Sequence, residues 1–322
     1  ISNIVSGITS AAFWFYLATM TDKSELGEIG YFISLGAVGF LFANSGLSGV
    51  IIIYGAKKEN VFSTTYALGL ISGIVTSIIF YILTENLALV FLIFTDIIWM
   101  LWESKLTAEK RFSSFAKYTV TRRVLMLIFA FLLYPSFGLD GILWGFGIST
   151  IPGFIGMYYF LKDTKINFSI LKPKVKFMFN FYAINITSNI FWWGDKILIG
   201  SLLGFSVLGS YQLATQFVIL LNTIPAAIYQ YLLPQEAQGI PNKKLKIYSV
   251  ILAFILSIVS IIVIPNAVNA FFPNFDASII PMQIMSISII PLMISVIYEP
   301  KFLGTEKSKF VLIGSSIQTG IY

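Results

Sequence analysis

The chain has 322 residues, 57 % of them hydrophobic and 11 % charged, with a formal net charge of +6 and a mean hydropathy of +0.85. Ordinary soluble domains carry about 25 % charged residues, a globule of this size has too little interior for so much apolar surface, and disorder needs the opposite composition. Cysteine and histidine are absent, which removes disulfides, thiol redox chemistry, Cys/His metal sites and a histidine general base. The expectation is an all-α polytopic membrane helix bundle without a cofactor.

A membrane-crossing helix needs about 20 apolar residues. Long apolar windows, many of them charge-free, predict spans over 1–20, 28–52, 62–83, 87–105, 118–135, 140–161, 177–200, 206–232, 247–268 and 278–298, and the start of another over 308–322. Arg122 and Arg123 sit at one end of the fifth span and are expected to snorkel to the surface. These segments are too long and too uncharged for the strands of a barrel. The chain starts at Ile1 and stays apolar to Tyr322. Both ends are expected to be cuts through a longer protein, and no cleavable signal peptide is recognisable at Ile1.

With the N-terminus in the cytoplasm, alternate connections collect all of the 21 basic residues on the inner side except Lys23 and Lys196. The outer connections hold Asp22, Glu25, Glu28, Glu85, Asp140 and Asp276. So one-sided a placement is the positive-inside pattern of a multi-pass protein of the cytoplasmic membrane. It also spends the positive charge on anionic inner lipid, in separate short loops, which excludes a nucleic-acid partner.

The longest charged connection, 162–176, follows the sixth span, and a helix, short outer turn and long helix recur on each side of it. Residues 1–161 are therefore expected to form an N-terminal six-helix lobe, 162–176 a cytoplasmic connector and 177–322 an incomplete C-terminal lobe. Six spans separate the copies, so they share one orientation, as parallel repeats related by an axis along the membrane normal do. Two such lobes around a central cavity suit an alternating-access transporter.

Asp96 lies mid-span in VFLIFTDIIWMLWESK, where an ionisable group costs about 2.5–3.5 kcal/mol to insert. It is either a site for H+ or Na+ coupling or polar cargo, or an acceptor for hydroxyls and amides on a neighbouring helix. The seventh span is the most polar: Asn185, Asn189, Trp192 and Lys196 share one face at 4-3-4 spacing, with Asp195 off it. Neighbours at i,i+1 point apart on a helix, so Asp195 and Lys196 are each expected to find a partner elsewhere or to reach the outer headgroups. Such a stripe either lines a cavity that meets sugar hydroxyls or phosphate, or joins helices by hydrogen bonds. Gln212 and Gln216 form an i,i+4 pair on the eighth span, and Asn44 lies deep in the second.

Pro152, Pro225, Pro265, Pro281 and Pro291 fall in or near span interiors, where proline favours a kink. Gly141 and Gly145, with three residues between them in GILWGFG, predict close helix contact. No GxxxxGK[ST] loop encodes ATP hydrolysis, and no sizeable soluble domain stands ready for a nucleotide-activated donor. The candidate cavity or coupling residues are Asp96, Asn185, Asn189, Trp192, Asp195, Lys196, Gln212 and Gln216; none is assigned a catalytic, cofactor or metal role.

The run NITSNIFWWGDKILIGSLLGFSVLGSYQLATQF, with Asp195, Gly200, Leu203-Gly204, Gly209, Tyr211 and Ala214, resembles the start of the second half of the polysaccharide-export flippases. These are the oligosaccharide-lipid translocases of the multidrug/oligosaccharidyl-lipid/polysaccharide exporter superfamily. Leu26–Tyr31, as an outer turn, and Gly46-Leu47 match the family's first half similarly. The resemblance implies 12 to 14 helices in two lobes around a cavity. It implies movement of undecaprenyl- or dolichyl-linked saccharides from the inner to the outer leaflet, without catalysis, and membrane lipids, a lipid-linked saccharide and other envelope polysaccharide-assembly proteins as partners. Relatives often place several Arg and Lys in the cavity for pyrophosphate; here only Lys196 lies well inside a span. Export of small amphipathic molecules coupled to protons or cations, and an intramembrane glycosyl- or phosphotransferase, stand as alternatives.

Overall fold

The apolar segments fold as helices throughout the computed structural model, which describes residues 2–162, 165–240 and 242–304. In chain order they are α1 (Ser2–Met20), α2 (Lys23–Asn44), α3 (Leu47–Ala56), α4 (Phe62–Thr84), α5 (Leu87–Ala108), α6 (Phe112–Ile148), α7 (Ile155–Lys162), α8 (Val175–Leu203), α9 (Phe205–Ala237), α10 (Lys243–Phe271), α11 (Ile279–Ile287) and α12 (Ile289–Gly304). Helices satisfy every backbone group within the segment, the condition for crossing hydrocarbon. Seven stretches of the described residues are long and apolar enough to do so, and the protein is an all-α polytopic bundle. Helices α1 and α8 also coincide with expected spans, but their polar residues keep them out of the seven. The eleventh expected span, 308–322, lies outside the described residues.

Three local features depart from the expected elements. The second span is broken at Ser45 and Gly46, both with positive φ, which separates α2 from α3. The outer turn expected at Leu26–Tyr31 is helical instead: the Asp22 carboxylate accepts the Glu25 backbone N–H at 2.8 Å, and α2 starts at Lys23, ahead of the expected span. The fifth and sixth spans are joined at Gly138, whose φ of 55° and ψ of −132° suit glycine alone. The chain turns back there, so that Gly141 and Gly145 lie against the backbone of Leu133 and Ala130. Close helix contact at these two glycines is as their spacing predicts.

The prolines behave less uniformly than expected. Pro225 and Pro265 lie within α9 and α10, which continue past them. Pro281 and Pro291 are each the third residue of a helix, and Pro152 opens a 3-10 turn; in a first turn the missing N–H costs no helical bond.

The helices group into two compact units. One is Glu28–Leu203, and its centre is α5, with Leu89, Ile93, Ile97, Leu101 and Trp102 fully buried against α3, α4 and α6. A helix apolar around most of its circumference belongs inside. Ile78, Leu83 and Leu132 on the outer helices face away from protein, as lipid-facing side chains do. The other unit combines Ile1–Gly27 with Gly204–Tyr322. In its described part α9 packs on α1 and α12, and Leu232, Ala253, Ile289, Met293 and Ile297 form a core.

Candidate functional site

Within the Glu28–Leu203 unit a cavity of about 560 Å³ opens beside α5. Helix α5 contributes Asp96, Met100, Glu103, Ser104 and Thr107, a spacing that keeps one helical face turned to the space. Asn44 and Ser48 enter from the two sides of the α2–α3 break, and Phe115 from α6. Asn185, Asn189 and Trp193 complete the wall from α8.

Asp96 is held by an ion pair with the Arg122 guanidinium. Arg122 also lies over the Trp99 ring, 5.0 Å from its centroid. Reaching inward to Asp96, it does not snorkel as its place near a span end suggested. A charge inside a bundle is tolerated when a counter-charge and polar contacts replace water, and Asp96 supplies that counter-charge one helix away. Glu103 feels the positive field of Arg122 and Arg123 from α6. It takes part in none of the ion pairs among the described residues.

The amides of the wall are oriented by the helices that carry them. Asn185 Nδ2 donates to the Phe181 carbonyl at 2.8 Å, and Asn189 Nδ2 to the Asn185 carbonyl at 2.9 Å. Asn44 and Ser48 engage each other, with Asn44 Oδ1 accepting the Ser48 N–H at 3.1 Å and Nδ2 donating to Ser48 Oγ at 3.2 Å. Thr107 Oγ1 donates to the Glu103 carbonyl at 2.9 Å, and Ser104 Oγ to Met100 Sδ at 3.5 Å.

The structure thus brings together three of the eight candidate residues: Asp96, Asn185 and Asn189. Trp192 is 60 % exposed, and Trp193 takes the place beside the cavity, at 4-4 rather than 4-3 spacing from the asparagines. Asp195 and Lys196 stand apart from the cavity wall. Contrary to the argument from i,i+1 geometry they pair: Lys196 Nζ reaches Asp195 Oδ1 at 3.2 Å and the Trp192 carbonyl at 2.7 Å. The long lysine stem folds back along its own helix, while Asp195 Oδ1 turns forward to accept the Lys196 backbone N–H at 2.7 Å. Gln212 and Gln216 are 2 % and 4 % exposed on α9, in the other unit. Their Oε1 atoms are buried with no hydrogen-bond partner among the described residues.

Glu103 was not singled out in the sequence, although it stands seven residues, two helical turns, beyond Asp96 on the same face. A search at i+7 from the mid-span carboxylate finds it. No three acidic residues converge among the described residues, so a cation in the cavity would meet only Asp96 and Glu103 as charged ligands.

A bundle of apolar helices, with a polar, charged space inside one of its units, defines a multi-pass membrane protein. A family model described as polysaccharide biosynthesis protein matches residues 16–275, and the chain belongs to that family. The match agrees with the resemblance to the polysaccharide-export flippases, and it places the chain in polysaccharide biosynthesis or export. No curated protein and no solved structure matches the chain.

Proposed function

We propose that the protein is a flippase-like transporter that moves a lipid-linked oligosaccharide or polysaccharide repeat unit from the inner to the outer leaflet of the cytoplasmic membrane by alternating access. The observation that carries this reading is the polar cavity beside α5, set among helices whose outer faces are apolar. A saccharide head has many hydroxyls, each costly to strip of water without replacement hydrogen bonds; Asn185, Asn189 and the carboxylates of Asp96 and Glu103 offer such replacements. The lipid tail remains in hydrocarbon. The reading requires no catalysis and no cofactor, with a proton or sodium gradient as the source of drive and Asp96 as the coupling group. Its partners are membrane lipids and the saccharide-lipid, together with other envelope polysaccharide-assembly proteins.

The test is flipping of a fluorescent, isoprenyl diphosphate-linked oligosaccharide in proteoliposomes. Replacing both wall amides (Asn185→Leu with Asn189→Leu) removes two hydrogen-bonding groups and slows flipping by about tenfold or more. An unchanged rate removes the cavity from the pathway.

One observation favours a second reading, coupled export of small amphipathic cations: the charged residues on the cavity wall are both carboxylates. Uptake of a fluorescent organic cation into inverted vesicles, with no flipping of the saccharide-lipid, would select it.

A further inference from the structure

Which head group the cavity accepts is written in the hydrogen-bonding capacity left over on its wall. Several of the wall's donors turn back on its own helices. One Nδ2 proton of Asn185 and one of Asn189 go to carbonyls of α8, the Ser104 hydroxyl to Met100, the Thr107 hydroxyl to the Glu103 carbonyl, and the Asn44 amide to Ser48. An asparagine whose Nδ2 is fixed this way presents its Oδ1 elsewhere, as an acceptor. The two charged side chains on the wall are acceptors as well. Asp96 is neutralised by Arg122, which reaches it from α6 and stacks on Trp99. The Arg122 and Arg123 side chains do not line the cavity, so the positive charge stands behind the wall and the negative charge on it. Glu103 lies in the field of Arg122 and Arg123 but joins no ion pair among the described residues. The wall's charge is thus carried by acceptors, with one carboxylate outside every ion pair among the described residues.

A phosphate group, which presents acceptors only, is a poor match for a wall whose charges are carboxylates. A hexose bearing a free ammonium matches it well: three N–H donors and a positive charge meet a carboxylate, ring hydroxyls meet amide oxygens, and Trp193 offers a flat face. Charge-assisted hydrogen bonds of this kind are about twice as strong as neutral ones.

We propose that Glu103 is a specificity-determining residue of the cavity, and that the saccharide head it selects carries a free amino sugar, its ammonium seated against the Glu103 carboxylate and its hydroxyls against Asn185 and Asn189. This rests on the translocation reading and names the substrate class of the same site. An N-acetylated sugar loses the charge and two of the three donors, and is discriminated against.

The test is equilibrium binding to the detergent-solubilised full chain of a short isoprenyl diphosphate carrying one 2-amino-2-deoxyhexose, against the same probe N-acetylated. The expected result is about tenfold tighter binding of the amine, a preference abolished by Glu103→Gln and restored by Glu103→Asp. Equal binding of the two probes to the wild-type chain overturns the proposal. A Glu103→Gln protein that keeps the preference, or that weakens both probes equally, overturns it too. Flipping of the same probes in proteoliposomes separates this inference from the reading beneath it. Flipping without an amine preference leaves translocation standing and removes the amino-sugar head, whereas amine-selective binding without flipping does the reverse.

Discussion

At the scale of residues, the Asp96–Arg122 pair is the feature whose energetics are simplest to state. Each side chain is about three-quarters buried, so removing one partner leaves a charge in a poorly solvated place. Arg122→Ala is expected to destabilise the protein by about 2 kcal/mol, below the 3–5 kcal/mol of a fully buried pair because water still reaches both groups. Asp96→Asn with Arg122→Ala, which removes both charges, is expected to cost less than the sum of the two single changes. Thermal unfolding in detergent of the four proteins measures the coupling, and strict additivity would show that the pair contributes nothing. Asp96, Asn185 and Asn189 were legible as site residues because polar groups inside apolar runs need a partner or a wet space. Arg122 was not, since a long side chain near a span end has two ways to leave hydrocarbon and sequence does not choose between them. Trp193 was missed for a geometric reason: a half-turn of uncertainty in helix phase decides which of two adjacent tryptophans faces inward.

At the scale of elements, the sharpest constraint is the crossing of α9 with the start of α2. A Cβ on Gly209 would stand 1.8 Å from the Lys23 carbonyl oxygen, and one on Gly27 would stand 1.9 Å from the Phe205 carbonyl oxygen. Backbone meets backbone there, and the small-residue packing that membrane helices rely on has no slack to yield. Gly209→Ala is expected to cost about 3 kcal/mol, because two helices must separate. Gly204→Ala, at φ +88° with nothing within 4 Å of the added methyl, meets only left-handed backbone strain of about 1 kcal/mol. Melting temperatures of the two variants in the same detergent rank the effects, and equal shifts would mean that the crossing is looser than its geometry. An ion pair between Lys23 and Asp276 closes over the same end of this unit. The helices themselves were readable from charge-free length, a property of each segment alone. The break at Ser45–Gly46 and the turn back at Gly138 were not, because both lie inside uniformly apolar sequence where hydropathy gives no signal. The neighbours of α1, which are α9 and its companions, have no trace in hydropathy either, since it reports depth in the bilayer and not lateral position.

At the scale of the whole molecule, the distribution of basic residues decides which way the chain lies in the membrane. Lys57 and Lys58 follow α3, Lys110 and Arg111 separate α5 from α6, and Lys172, Lys174 and Lys176 precede or open α8. Near an anionic leaflet each such residue is worth about 1 kcal/mol, and alternate connections carry almost none of them, so inverting the chain forfeits several kcal/mol at once. The cytoplasmic placement of these loops is therefore a prediction with a large energy behind it. It is open to direct measurement because the chain has no cysteine of its own. Single cysteines introduced as Lys58→Cys, Lys110→Cys and Lys172→Cys are expected to react with a membrane-impermeant maleimide only after the cells are opened, whereas Glu85→Cys, between α4 and α5, reacts on intact cells. The reverse pattern would invert the bilayer orientation of the bundle, and with it the leaflet from which a saccharide-lipid enters the cavity beside α5. Labelling of all four positions on intact cells would instead break the alternation of connections on which the transport direction is argued.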